Sequence, residues 1–143
     1  MKHLVLIFCI CAVGCTAQES NNGIPEAVLR SFEQKYPKEN SPEWEKDDHG
    51  NFEAHFKKDG EKYRADFTPA GQWIETENSI KYDDLPEAVQ DAIKEQFDKD
   101  DITEIEQVEH SSKGWFYDVE FKQKGKNKDV EYNPAGMIIG GSG

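Results

Sequence analysis

The stretch Ile24-Pro25-Glu26-Ala27-Val28 decides the fold, because it returns almost unchanged as Leu85-Pro86-Glu87-Ala88-Val89. A second motif behaves in the same way, since Thr68-Pro69-Ala70-Gly71 returns as Asn133-Pro134-Ala135-Gly136. In both cases about 60 residues separate the two occurrences, a period typical of tandem copies of one supersecondary unit. The sequence therefore predicts two copies of a single unit, one after the other.

Each copy opens with a stretch whose apolar residues recur every four positions. These residues are Ile24, Val28, Phe32 and Tyr36 in the first copy, and Leu85, Val89, Ile93 and Phe97 in the second. This spacing predicts an amphipathic helix with one buried face. Pro25 and Pro86 suit the first turn of a helix, where no N–H is needed, and Asp84 is the expected N-cap of the second helix.

Behind each helix, apolar and polar residues alternate, as they do in strands with one buried face. The apolar positions are Phe52, Ala54, Phe56, Tyr63, Ala65 and Phe67 in the first copy, and Tyr117, Val119 and Phe121 in the second. Asp59-Gly60 predicts a two-residue hairpin. We predict an α+β fold in which two tandem helix-plus-four-strand repeats, residues 24–79 and 80–143, share one antiparallel sheet with the helices packed on one face.

The N-terminal residues 1–14 predict a signal peptide that is not part of the fold. Their apolar run, residues 4–13, is too short to span a bilayer as a helix. The run leads to Gly14-Cys15, which resembles the junction of bacterial lipoproteins, where the cysteine becomes the acylated N-terminus. We expect lipidation at Cys15 and a polar linker over residues 15–23, with plain cleavage after Ala17 as the alternative. The predicted location is the periplasm or outer membrane, with a lipid anchor.

Composition argues against several function classes. The chain has a formal net charge of −12 at pH 7, so neither nucleic acid nor an anionic membrane surface is an expected partner. Its three cysteines, Cys9, Cys11 and Cys15, all precede the predicted fold, which leaves that fold without a thiolate nucleophile or thiolate metal site. No Gly-rich phosphate loop opens a helix, and no serine elbow is present. We predict no enzymatic activity and no cofactor.

Three histidines remain after the signal peptide, His49, His55 and His110. His49 and His55 are six positions apart in a strand region, which is not the close spacing of a zinc site. We predict solvated surface histidines and no metal site.

A few apolar side chains are expected on the wet face of the sheet. Phe116 lies between Trp115 and Tyr117, which the alternation directs towards the core. The alternative is a bulge near Gly114, which would place Phe116 in the core instead. Ile74 and Val108 are expected on the same wet face as Phe116. Exposed apolar residues among polar ones can mark a binding surface. The candidate binding surface consists of Phe116, Ile74, Val108, His55 and Arg64.

The repeated Leu/Ile-Pro-Glu-Ala-Val openings and the aromatic-x-Pro-Ala-Gly closings at 67–71 and 132–136 resemble the PepSY-like family, which is related in shape to the beta-lactamase inhibitory protein. The resemblance covers residues 24–140 and implies a tandem α-β4 arrangement in an exported protein. Members with known roles bind and inhibit other proteins through the exposed sheet face. The resemblance thus implies a protein-binding or inhibitor-type module whose partner is another envelope protein. The alternative is a small-ligand or cation-binding periplasmic protein.

Overall fold

The structure is a computed structural model that describes residues 23–142. Within this range the helices are α1 (Glu26–Lys35) and α2 (Glu87–Gln96). The strands are β1 (Glu43–Lys46), β2 (Phe52–Lys58), β3 (Glu61–Phe67), β4 (Trp73–Ser79), β5 (Ile102–His110), β6 (Gly114–Phe121), β7 (Lys128–Tyr132) and β8 (Ile138–Ser142). The predicted signal peptide, Cys15 and nearly all of the predicted linker lie outside the described residues.

The strands form one antiparallel sheet in which spatial order follows chain order from β1 to β8. The two halves join where β4 pairs with β5, from Glu75 opposite His110 to Ser79 opposite Glu106. The α+β class with a single antiparallel sheet is therefore confirmed. The element order, α1 with β1–β4 and then α2 with β5–β8, is consistent with two units, while the boundaries at 24–79 and 80–143 stay predictions.

Both helices cover the same face of the sheet. The α1 stripe of Ile24, Val28, Phe32 and Tyr36 is buried against Phe52, Ala54, Phe56, Ala65 and Phe67. The α2 stripe of Leu85, Val89 and Ile93 is buried against Ile105, Tyr117, Val119, Phe121, Val130 and Tyr132, with Phe97 partly buried beside it. Because side chains on a strand alternate between the two faces, each intervening residue belongs to the face that no helix covers. In the described part of the chain, neither helix is long and apolar enough to cross a membrane.

The two repeated motifs lie in contact in each half of the molecule. Gly71 has a φ of 82°, and a Cβ atom there would collide with the backbone carbonyl of Ala27 in α1. Gly136 has a φ of 79°, and a Cβ atom there would collide with the backbone carbonyl of Ala88 in α2. A turn that needs both a left-handed backbone and a close approach to a helix requires glycine. The Pro-Ala-Gly turns thus dock against the Pro-Glu-Ala-Val helix starts.

The hairpin prediction at Asp59-Gly60 is confirmed. Lys58 pairs with Glu61, and both loop residues have positive φ angles, 52° and 90°. These angles are typical of the two-residue turns whose twist matches the flanking strands.

The prediction that Asp84 caps the second helix is wrong. Leu85 is extended, and Pro86 is the N-cap of α2, just as Pro25 is the N-cap of α1. Each proline therefore lies one residue before its helix, where its missing N–H removes no helical hydrogen bond. The carboxylate of Asp84 instead accepts a hydrogen bond from the backbone N–H of Lys81, at 3.1 Å, in a short 3-10 turn.

Candidate functional site

The sheet face opposite the helices, hereafter the uncovered face, is strongly acidic. The strand registers place on it the acidic residues Glu43, Glu45, Glu53, Asp66, Glu75, Glu77, Glu104, Glu106, Asp118, Glu120, Asp129 and Glu131. The basic residues that the same registers place there are Lys57, Lys62 and Arg64. Acids thus greatly outnumber bases on this face, in keeping with the net charge of the chain.

The middle of the uncovered face is organised around Arg64 on β3. Its Nη2 atom lies 2.9 Å from Oε1 of Glu77 on β4, and its Nε atom lies 3.5 Å from Oδ1 of Asp66. Glu77 is only 7% exposed, and its side chain also contacts Glu106 on β5. One guanidinium therefore faces several carboxylates at the junction between the two halves of the sheet.

The carboxylates around this junction hold protons unusually tightly. Burial, opposed by Arg64, raises the pKa of Asp66 to about 7. Burial, together with the negative charges of Asp129 and Glu131, raises the pKa of Asp118 to about 6. Burial also raises the pKa of both Glu77 and Glu106, and the negative charges of nearby carboxylates add to the rise. The uncovered face thus contains acids that lack enough positive charge to balance them.

The predicted exposure of Phe116 and Val108 is wrong, although the predicted face is right. The register pairs the two residues with each other on the uncovered face, yet they are only 3% and 2% exposed. The Lys113 ammonium lies 5.0 Å from the centre of the Phe116 ring, and the His110 ring packs beside it. Polar side chains therefore cover this apolar pair, so it does not form an exposed patch.

Trp115 was expected in the core and is instead 53% exposed. Trp115 pairs with Glu109 and lies on the sheet face that the helices cover, as alternation predicts. It nevertheless lies outside the cluster of buried residues that packs under α2. A position on the covered face buries a side chain only where a helix extends over it. For this reason alternation alone misassigned Trp115.

Ile74 is half-buried and lies in a β-bulge. Phe67 pairs with Trp73 and Asp66 pairs with Glu75, so Ile74 is the extra residue on β4. The sequence alternation therefore does not define its face. His55 and Arg64, the other members of the predicted surface, pair with each other on the uncovered face as expected.

His55 belongs to a cluster that the sequence analysis missed. Glu45, Glu53 and His55 bring one potential metal-ligand atom each to within 4.8 Å of one another. Glu45 comes from β1 and lies directly opposite Glu53 on β2. This cluster depends on the register between two strands, which the spacing of residues along the sequence does not reveal.

The other two histidines have ordinary surroundings. The side chain of His49 is 86% exposed and lies 3.7 Å from the carboxylate of Asp47. The Nδ1 atom of His110 accepts hydrogen bonds from the backbone N–H groups of Ser112 and Lys113, at 3.1 and 3.3 Å. His110 thus stabilises the turn between β5 and β6.

The fold and the uncovered face define a class of protein, an α+β module built on one antiparallel sheet with an acidic open side. The family model of PepSY-like, beta-lactamase-inhibitor-like proteins matches residues 16–63 and 50–139. The chain belongs to this PepSY-like family.

Several solved structures with the same fold come from species of Bacteroides. A DUF2874 family protein from Bacteroides ovatus is 23% identical, with a TM-score of 0.71, and the match covers 82% of this chain and 86% of that one. A BLIP-like protein from Bacteroides fragilis is 21% identical, with a TM-score of 0.71 and coverage of 82% and 85%. A protein from Bacteroides eggerthii, described as a candidate periplasmic protein, is 19% identical, with a TM-score of 0.71 and coverage of 82% and 87%.

The search among curated proteins found no match. The family and the structural neighbours therefore establish the fold and are consistent with a non-enzymatic module.

Proposed function

We propose that this protein is a non-enzymatic envelope module whose uncovered face binds a partner protein through a cationic segment of that partner. The observation that carries this proposal is the accumulation of partly buried carboxylates on the one sheet face that no helix covers. A binding surface of this kind attracts and orients a partner of opposite charge.

The charge balance of the uncovered face favours a lysine- or arginine-bearing partner. Arg64 is shared between Asp66 and Glu77, at 3.5 and 2.9 Å, and Lys113 is engaged by Glu131 at 2.7 Å. Oδ1 of Asp118 is buried without a hydrogen-bond partner among the described residues, and Oδ1 of Asp66 has only the 3.5 Å ion pair with Nε of Arg64. A guanidinium or ammonium from a partner would pair with the exposed carboxylates of this face, such as Glu43, Glu45 and Glu104, and charge-assisted hydrogen bonds of this type are among the stronger ones.

The family name supports a binding role, since it describes beta-lactamase-inhibitor-like proteins. The signal-like N-terminus and the candidate periplasmic protein among the structural neighbours support a location in the cell envelope. Within this proposal, Cys15 carries the lipid that tethers the domain, and the partner is another envelope protein. The same uncovered face would serve an inhibitory role if the partner is an enzyme.

We further infer that the chain carries two copies of one α-β4 unit, each contributing half of the uncovered face. The order of the elements supports this inference. So do the equivalent contacts of Gly71 with Ala27 and of Gly136 with Ala88.

Charge neutralisation tests the proposed binding face. The test variant combines Asp66→Asn, Glu75→Gln and Asp118→Asn on the uncovered face. The matched control combines Glu33→Gln, Glu87→Gln and Glu95→Gln, which remove the same number of acids from exposed helix positions. Each purified protein is used to capture partners from envelope extract at pH 8, where most carboxylates are ionised.

We expect the wild type and the helix control to retain the same partner, and the test variant to lose it. Raising the salt concentration should also release the partner, because interactions between exposed charges are screened. Equal capture by all three proteins would refute binding through the uncovered face.

A further inference from the structure

We propose that Glu45, Glu53 and His55 form a binding site for a divalent transition-metal ion, of the type represented by Zn²⁺, at the β1–β2 end of the uncovered face. The proposal is independent of partner binding, because it concerns one end of the face and involves residues of this chain alone.

Strand geometry brings the three side chains together. Glu45 lies directly opposite Glu53 in the antiparallel pair of β1 and β2. His55 follows Glu53 by two positions on β2, so both side chains lie on the same face. The three ligand atoms lie within 4.8 Å of one another. Zinc–ligand distances of about 2.0–2.2 Å require donor atoms closer than this, and rotation of the exposed Glu45 side chain would close the gap.

The imidazole of His55 points to a ligand independently of the carboxylates. The His55 side chain is 40% exposed, but its Nε2 atom is itself buried and has no hydrogen-bond partner among the described residues. Oε2 of Glu53 is 3.5 Å away, without the geometry of a hydrogen bond. Buried polar atoms are normally satisfied, so an unpartnered ring nitrogen beside two carboxylates calls for a missing partner. A metal ion is a partner that a neutral imidazole nitrogen accepts readily.

The carboxylates of Glu45 and Glu53 also call for a positive charge between them. Glu45 and Glu53 are like charges in directly opposed positions, an arrangement that destabilises a strand pair. In the described part of the chain, no lysine or arginine forms an ion pair with either residue. A divalent cation between them would convert this repulsion into attraction.

The donor set selects among metals. One imidazole nitrogen with two carboxylate oxygens suits zinc and its first-row neighbours, whereas Ca²⁺ and Mg²⁺ prefer oxygen ligands throughout. Three protein ligands leave at least one coordination position for water or for an outside ligand.

The second half of the sheet supplies an internal comparison. Glu106 lies opposite Asp118 there, just as Glu45 lies opposite Glu53, and Glu120 takes the position of His55 two residues further along. This second set has no nitrogen ligand, and raised pKa values at Glu106 and Asp118 relieve part of its repulsion through protonation. Zinc binding is therefore expected in the first half alone.

Calorimetric titration of the purified, metal-free protein with ZnCl₂ tests the proposal. We expect one equivalent of Zn²⁺ to bind to the wild type, and Ca²⁺ and Mg²⁺ not to compete. His55→Gln and Glu45→Gln should each weaken Zn²⁺ binding by about 10-fold or more, because even the loss of a residue that only orients a metal ligand costs this much. His49→Gln and His110→Gln are the matched controls, and they should bind as the wild type does.

A second measurement reports on the ligand atom itself. In NMR spectra of the wild type, Zn²⁺ should shift the Nε2 resonance of His55 and leave those of His49 and His110 in place. This measurement remains decisive if His55→Gln fails to fold. The proposal is overturned if Zn²⁺ does not bind, if His55→Gln binds as the wild type does, or if another histidine shifts instead.

Discussion

Tyr132 is completely buried, yet its hydroxyl has no hydrogen-bond partner among the described residues. It begins the closing motif of the second half, at the position that Phe67 occupies in the first. Tyr36, by contrast, has its buried hydroxyl paired with that of Thr76 on β4. The two tyrosines therefore represent a satisfied and an unsatisfied buried hydroxyl in one molecule.

Tyr132→Phe should raise the free energy of unfolding by about 1 kcal/mol, because it removes a buried donor that has no acceptor. Tyr36→Phe should lower that free energy by about 0.5–1.5 kcal/mol, because Thr76 loses its hydrogen bond to the tyrosine hydroxyl and keeps only the one from the indole N–H of Trp73, at 2.9 Å. Urea denaturation of both variants measures these changes. A clear loss of stability in Tyr132→Phe would show that its hydroxyl is hydrogen-bonded in solution.

Phe116 and Trp115 are adjacent residues with opposite burial. Phe116→Ala should lower the free energy of unfolding by about 3–5 kcal/mol, since it empties a packed site beside Val108. Trp115→Ala should cost less than about 1 kcal/mol, because about half of Trp115 is in solvent and it lies outside the packed core. Thermal melts of the two variants side by side provide the measurement. A larger drop for Trp115→Ala would contradict the burial described here.

At the level of helices, strands and turns, the sequence predicts most of what the structure contains. Apolar residues at every fourth position predicted α1 and α2, and apolar residues at every second position predicted the covered faces of β2, β3 and β6. Alternation could not reveal the bulge at Ile74, which changes the register within β4. Nor could it show that Lys113, from the turn before β6, covers Phe116. The Glu45, Glu53 and His55 cluster was likewise inaccessible, because it depends on which residues face each other across two strands.

The docking of each Pro-Ala-Gly turn against its helix can be tested with single methyl groups. Gly71→Ala and Gly136→Ala should each lower the free energy of unfolding by about 2 kcal/mol or more. The new Cβ would clash with a helix carbonyl, and alanine is strained at the positive φ of these positions. Gly114→Ala is the matched control, with a φ of 72° and open space around its Cβ, and should cost about 1 kcal/mol. Equal losses from chemical denaturation at all three sites would mean that the turns do not press against the helices.

For the molecule as a whole, the carboxylates of the uncovered face make stability depend on pH. The pKa values of Asp66 and Asp118 rise on folding to about 7 and about 6, mainly through burial. The folded state therefore holds more protons than the unfolded state above about pH 4, and stability must fall as these protons are lost.

The melting temperature should accordingly decrease as pH rises from about 5 to about 8. In the Asp66→Asn/Asp118→Asn double variant this decrease should be smaller, because the two substituted side chains no longer titrate. Melting curves recorded at constant ionic strength across this range measure the effect. A wild-type melting temperature that rises over the same interval would contradict the burial of these carboxyls.

The most direct test of the central claim, that the uncovered face binds a partner, is site-specific photo-crosslinking in intact cells. A photoreactive phenylalanine analogue replaces Glu75 on the uncovered face, or Glu33 on the exposed side of α1 as the control. The account predicts a crosslinked partner from position 75 and none from position 33. Crosslinking from position 33 with none from position 75, or from neither position, would contradict it.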